Sequence, residues 1–143
     1  MKFAILGLAV ALAIVGIFFA GSSPDPVTTD APEYSSDTAI VAISVPATFT
    51  ESAQIGKAAF DAKCAACHGP EAVGQLEIAP PLVHEIYEPS HHGDEAFQRA
   101  VAVGVRGHHW PFGSMPPVEG LTRGDVQMIV AYIRELQRAN GIN

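Results

Sequence analysis

Residues 64–68 read Cys64-Ala65-Ala66-Cys67-His68. They hold both cysteines of the 143-residue chain, three positions apart, with an imidazole directly after the second. Several chemistries use two thiols at that spacing. A disulfide between them would close almost no loop and add little stability. A redox Cys-x-x-Cys pair follows a strand and opens a helix, whose N-terminus lowers a thiol pKa. Here the cysteines close a helical segment instead. A structural zinc site needs two further ligands at close, defined spacing. His84, His91, His92, His108 and His109 are present but do not offer that arrangement.

Cys-x-x-Cys-His is the attachment motif of c-type haem, and beside it these competing readings are weaker. Two thiols add across the two vinyl groups of the porphyrin, and their three-residue offset suits one helical turn under the ring edge. The adjacent His68 then offers its imidazole to the iron. Covalent attachment keeps the cofactor on an exported protein, and it leaves no unused thiol in an oxidising compartment. The candidate for the second axial position is Met115, 47 residues past His68, in Gly113-Ser114-Met115-Pro116-Pro117. Pro116 biases Met115 towards an extended backbone, and two prolines stiffen the loop that would hold its thioether. A methionine filling a core gap and a second imidazole from His108, His109 or His84 are the alternatives. Met128 reads as core or helix surface.

Working outward, the pattern from Ser52 to Asn143 is helical with loops between. Thr50 or Ser52 caps a helix running to about Ala66, with Gly56, Phe60 and Cys64 on one face. A second helix is expected from Asp94 to Val103, capped by Asp94 and stopped by Gly104. The third opens on Thr122-x-x-Asp125, a capping-box variant. Its Val126, Ile129, Val130, Ile133 and Leu136 then follow amphipathic spacing, flanked by Tyr132. Residues 69–93 and 105–121 read as loops, and no segment alternates as a strand. The 92 residues from 52 to 143 contain only 26 large apolar side chains. Such a thin core in a small domain asks for a staple or a cofactor at its centre.

With these residues in place, positions 52–143 resemble a small monohaem class I cytochrome c. The resemblance implies an all-α cytochrome c fold, about three to five helices around one covalently bound haem c. It implies an N-terminal helix crossing a C-terminal one. Gly56 and Phe60 match the family pattern on the first, and Ile129 and Tyr132 match it on the last. Pro80-Pro81-Leu82 matches the family's Pro-x-Leu, which implies that the Pro80 carbonyl accepts the other N–H of His68. The implied cofactor-binding set is Cys64, Cys67, His68 and Met115, with His68 and Met115 on the iron. Residues 83–93 have no counterpart in the simplest members. Trp110 lines the cleft, bonds a propionate through its indole N–H, or merely packs. Arg106 pairs with a propionate or is solvated. His91-His92 and His108-His109 are read as solvated, with metal binding or pH tuning of the potential as alternatives. Arg134 and Arg138 are read as the exposed face of the last helix.

The N-terminus supplies an address. Phe3 to Ala20 is an 18-residue run without charge or polar side chain. A signal peptide's apolar stretch is about 7–15 residues, whereas a spanning helix needs about 17–25. Residues 1–21 are therefore expected to be an uncleaved anchor, with a removed signal peptide as the alternative. Either way the rest of the chain is exported, with Lys2 left on the cytoplasmic side. Residues 22–51 are rich in Pro, Ser and Thr and carry five acids and no base. That composition reads as an acidic linker, although the apolar Thr38–Phe49 (TAIVAISVPATF) is suited to packing on the domain or on a partner. The expected location is a bacterial inner membrane, haem domain in the periplasm; a soluble periplasmic form follows if the signal is removed.

The net charge of −7 argues against nucleic-acid binding. His/Met ligation fills both axial sites and raises the potential relative to bis-His haem, which favours a one-electron carrier over an enzyme. The resemblance suggests redox partners such as a quinol-oxidising complex as donor and a terminal oxidase or reductase as acceptor. A dedicated haem subunit of a larger respiratory complex is the alternative reading, and a haem sensor or peroxidase-like enzyme a third. From 52 to 143 there are seven basic and ten acidic residues, a net −3. Docking is thus expected through an apolar patch or onto a basic partner.

Overall fold

The computed structural model describes residues 33–34 and 37–143. The expected anchor over 1–21 and the start of the linker lie outside the described residues. Among those described, no helix is long and apolar enough to cross a membrane. Helix α1 spans Glu51–Lys63, α2 spans Ala65–His68, α3 spans Asp94–Val103 and α4 spans Arg123–Ala139. Two short 3₁₀ turns, Pro70–Ala72 and Glu85–Tyr87, lie in the connection before α3.

The two long helices of the core, α1 and α4, start where side-chain chemistry satisfies their first free N–H groups. Thr50 caps α1, its hydroxyl accepting from the Ala53 N–H. Thr122 caps α4, and Asp125 returns a bond from the Thr122 backbone N–H, which completes a reciprocal capping box. At α3 the cap differs from expectation. Gly93, not Asp94, precedes the helix, and Asp94 is its first residue. The Asp94 carboxylate instead accepts from Arg134 Nε at 3.0 Å. The first helix also ends earlier than expected, at Lys63, with the backbone breaking at Cys64 before the single turn of α2.

Helices α1 and α4 cross at Gly56. A Cβ built there would stand 1.9 Å from the Met128 carbonyl oxygen and 2.9 Å from the Ile129 nitrogen. Only glycine lets the two backbones meet so closely. Beside the crossing, Phe60 and Tyr132 are fully buried with ring centroids 5.5 Å apart, and Phe49 packs edge-on to Tyr132 at 5.4 Å. Ile129, Ile133 and Leu136 complete this core on the α4 side. The apolar stripe read from the sequence is the buried stripe.

The structure draws the apolar end of the linker into the domain. Ile43 is 3% exposed and belongs to the core, with Val41, Val45 and Phe49 packed against it. The Val73 carbonyl accepts from the Ile40 and Val41 N–H groups, and Asn140 brackets Ser44 with two bonds of 2.8 Å. For residues 38–49 the structure therefore shows packing, not a free coil. This stretch also carries the strand that periodicity did not reveal. Strand β1, Glu33–Tyr34, pairs antiparallel with β2, Ile43–Ser44. Two residues per strand are too few to show an alternation.

Arg134 is the largest departure from expectation. It is 7% exposed, not on a solvated face. Its guanidinium donates to the Tyr87 carbonyl, the His92 carbonyl and the Gln137 side chain, each at 2.6 Å, besides Asp94. The fork of five donors thereby fastens the loop 87–92 and the start of α3 to α4. Gln137, also buried, donates to the Leu82 and Tyr87 carbonyls. Arg138 is exposed, as expected.

Candidate functional site: a haem cavity between two loops

Between α1, α3, α4 and the two long loops lies a cavity of about 720 Å³. That volume lies within the ordinary range of cofactor sites, about 300–1,000 Å³. Cys64, Cys67, His68 and Met115 all line it, and Phe60, Leu82, Phe97, Ile129 and Ile133 give it apolar walls. The structure thus brings together all four expected residues, from one helical turn and one loop 47 positions downstream.

The first three arrive on the turn after the break at Cys64. The Cys67 and His68 N–H groups both bond the Cys64 carbonyl, at 3.1 and 2.9 Å. His68 Nδ1 lies 2.9 Å from the Pro80 carbonyl oxygen. A carbonyl only accepts, so Nδ1 carries the proton and Nε2 keeps its lone pair. Such a bond fixes ring orientation and tautomer and raises basicity at the other nitrogen. Burial lowers the His68 pKa, with the bond to Pro80 opposing it, so the neutral ring, the form that ligates metal, is favoured. Burial pushes the Cys64 thiol up to about 11, with Cys67 adding to the rise. Nothing there activates a thiolate as a redox Cys-x-x-Cys site requires.

Met115 is set by its backbone. Residues Val105 and Met115 exchange two N–H to carbonyl bonds of 2.9 Å, an antiparallel bridge that closes the loop 105–115. Gly104, at φ +77°, admits the approach, because a Cβ there would stand 2.5 Å from the Met115 carbonyl oxygen. Among the candidate alternatives, His108 and His109 also line the cavity, whereas His84 is not among its described lining residues. His84 accepts from the Ile86 N–H and packs edge-on against Trp110 at 5.2 Å.

The cavity also holds an orphan. Trp110 lines it, stacked on Phe112 at 5.9 Å, and its indole Nε1 is buried without a hydrogen-bond partner among the described residues. Burial raises the nearby Tyr87 phenol's pKa and the Trp110 indole moderates the rise, yet no acceptor meets bonding geometry at Nε1. A buried donor left so costs about 1–3 kcal/mol, and an acceptor within the cavity would remove that cost. A porphyrin with carboxylate side chains supplies one. The donor set, the volume and this unpaired N–H all fit a haem.

Outside the cavity lining, Glu71 occupies φ +54°, unusual for a residue with a Cβ. Lys57 pairs with its carboxylate at 2.9 Å and the Tyr132 hydroxyl donates to it. Lys57 also pairs with Asp61 at 3.1 Å. The sequence signal for this cluster, Lys57 and Asp61 four apart, was visible; the partner Glu71 was not.

A comparison with protein families matches the cytochrome c model over residues 53–137. Searches of curated proteins and of solved structures returned no match. The matched span exceeds half of the chain and contains the Cys-x-x-Cys-His turn, the Pro80 loop, Met115 and most of α4. The protein belongs to the cytochrome c family and, as a haem-based electron carrier, bears a covalently attached haem c with its iron.

Proposed function

We propose that the chain is a one-electron carrier without catalytic turnover, in which Cys64 and Cys67 tether the ring and His68 and Met115 are the axial ligands. The observation that carries this reading is the His68 Nδ1–Pro80 bond at 2.9 Å, on the wall of a cavity shared with both cysteines and Met115. The bound haem supplies a one-electron iron couple. The protein's own residues do the rest. Pro80 holds the His68 ring so that Nε2 is the ligating nitrogen. The Val105 bridge and the prolines after Met115 hold the thioether loop closed. The apolar walls keep water out, which helps set the potential, and a thioether ligand raises it relative to a second imidazole. With His68 and Met115 both holding the iron, no coordination position would be left for a substrate.

Docking is proposed through the apolar rim. Ile78 and Val103 line the cavity yet are 51% and 73% exposed. Of the two lysines in the domain, Lys57 is engaged by Glu71 and Asp61, and Lys63 reaches the Glu119 carbonyl. Arg99 and Arg106 are exposed on the cavity lining, but the domain's net charge of −3 favours an apolar or basic partner over an acidic one. The 18-residue apolar run at the N-terminus supports an anchored carrier facing the periplasm, between a quinol-oxidising donor and a terminal oxidase or reductase. The stretch 38–49, which would suit docking in a larger complex, is occupied inside the domain.

The test is optical. Ferric protein should show the weak far-red band of thioether-ligated haem, and Met115→Ala should abolish it while the haem stays attached. Ferrous wild type should not bind carbon monoxide at neutral pH. Binding there, or a band that survives the substitution, would refute the ligand assignment.

A further inference from the structure

Four of the six histidines gather at one edge of the cavity, on two loops far apart in sequence. His91 Nε2 and His109 Nε2 stand 3.4 Å apart, and one coordinating nitrogen from each of His91, His92 and His109 falls within 4.8 Å of the others. The rings of His91 and His92 lie 4.6 Å apart, and His109 is 5.3 Å from each. Sequence reading takes these side chains as solvated. His91 and His109 are indeed exposed, and the fold presses them together with His92.

We propose that His91, His92 and His109 form a second metal site, distinct from the haem iron, for a divalent transition-metal ion of the zinc or copper type. The geometry suits it. Zinc–imidazole bonds of about 2.0–2.1 Å at tetrahedral angles place two ligand nitrogens roughly 3.3–3.4 Å apart. The His91–His109 separation of 3.4 Å already has that value, and the His92 nitrogen, within 4.8 Å of the other two, closes onto the ion by a rotation of the exposed His91 and His109 side chains. One ligand is already oriented from behind. His92 Nδ1 lies 2.6 Å from the Ile86 carbonyl, so Nδ1 carries the proton and Nε2 presents its lone pair. A backbone carbonyl in that role is the usual outer partner of a ligating histidine.

Imidazole donors select zinc, copper or nickel over magnesium and calcium, which take oxygen. Three protein nitrogens leave a fourth position for water. His92 and His109 also line the haem cavity, so the ion would sit at its edge. There its charge would act on the haem potential, more strongly than across open solvent.

The experiment uses the haem-loaded full chain in mild detergent, with Zn²⁺ as a probe that exchanges no electrons with iron. Calorimetric titration should show one zinc per chain. Absorption at the zinc edge should show three imidazole nitrogens at about 2.0–2.1 Å. His91→Gln and His109→Gln, both at exposed positions, should each weaken binding at least about ten-fold, comparable to losing a supporting contact at known sites. The haem spectrum reports folding in the same samples. Failure of wild type to bind zinc, fewer than three imidazoles at the edge, or affinity unchanged in both variants overturns the site. An intact haem spectrum in that case leaves the cytochrome assignment standing.

Discussion

Gly56→Ala sets two effects of opposite sign against each other. Placing alanine in a helix interior in place of glycine stabilises by about 1 kcal/mol through propensity alone. At this position the added methyl would meet the Met128 carbonyl oxygen at 1.9 Å, where ordinary contact begins near 3.4 Å. Both walls are helix backbone, so no rotamer change relieves the clash, and α1 and α4 must move apart by roughly 1 Å or more. A radial gap of about 0.5–1 Å forfeits a quarter to a half of each dispersion contact. The contacts at stake are those of Phe60, Ile129, Tyr132 and Ile133, all buried. Overpacking of this kind costs about 1–3 kcal/mol, and the rigid surroundings place it at the upper end. After the propensity gain the net loss is about 2 kcal/mol. For a domain of this size that lowers Tm by roughly 8–16 °C. Thermal unfolding of haem-loaded wild type and variant, followed by far-ultraviolet circular dichroism, measures it. A variant as stable as wild type, or more so, would refute the close-approach argument and leave propensity in command.

Arg134→Met should destabilise by about 2–4 kcal/mol in urea titration, because it orphans the His92 carbonyl and leaves the Tyr87 carbonyl with Gln137 as its one donor, rather than merely removing a charge. Arg134→Lys should restore only part, since one ammonium cannot reach acceptors in several directions. Asp125 has a lowered pKa, owing first to the Thr122 backbone N–H and then to its hydroxyl. A depressed folded-state value means that its contribution is present above the ordinary 3.8 and is lost as pH falls through the folded value. Asp125→Asn should therefore flatten the acid limb of a stability–pH profile, and an unchanged limb would count against the capping box. With an acidic redox partner, stopped-flow electron transfer should be unchanged or faster as salt rises, given a domain charge of −3. A steep slowing would indicate a cationic docking face.

What the sequence made legible was what local chemistry encodes. The Thr122 box and the stripe from Val126 to Leu136 report through neighbours within one or two turns, and both stand as expected, whereas the helix expected to run to about Ala66 breaks at Cys64. Gly56 against Ile129 and Pro80 against His68 are long-range, and only the family resemblance supplied them. Arg134 was misread because its position next to Ile133 borders the buried stripe, and its partners are backbone carbonyls that no composition announces. The cap at Gly93 was misplaced because Asp94 is a good capping residue whose carboxylate is drawn to Arg134 instead. The histidine cluster was divided by 15 intervening residues, so nothing in either pair announced the other before the loops met.

The fastening of residues 87–92 by one guanidinium bears on how this loop can change. Its attachment depends little on its own side chains, since Arg134 takes hold of peptide oxygens. As far as attachment goes, Glu88, Pro89 and Ser90 are thereby freed to vary so long as the backbone path survives. Anyone grafting the loop onto another scaffold would need to carry across two residues of a distant helix, Arg134 and Gln137, and almost nothing else.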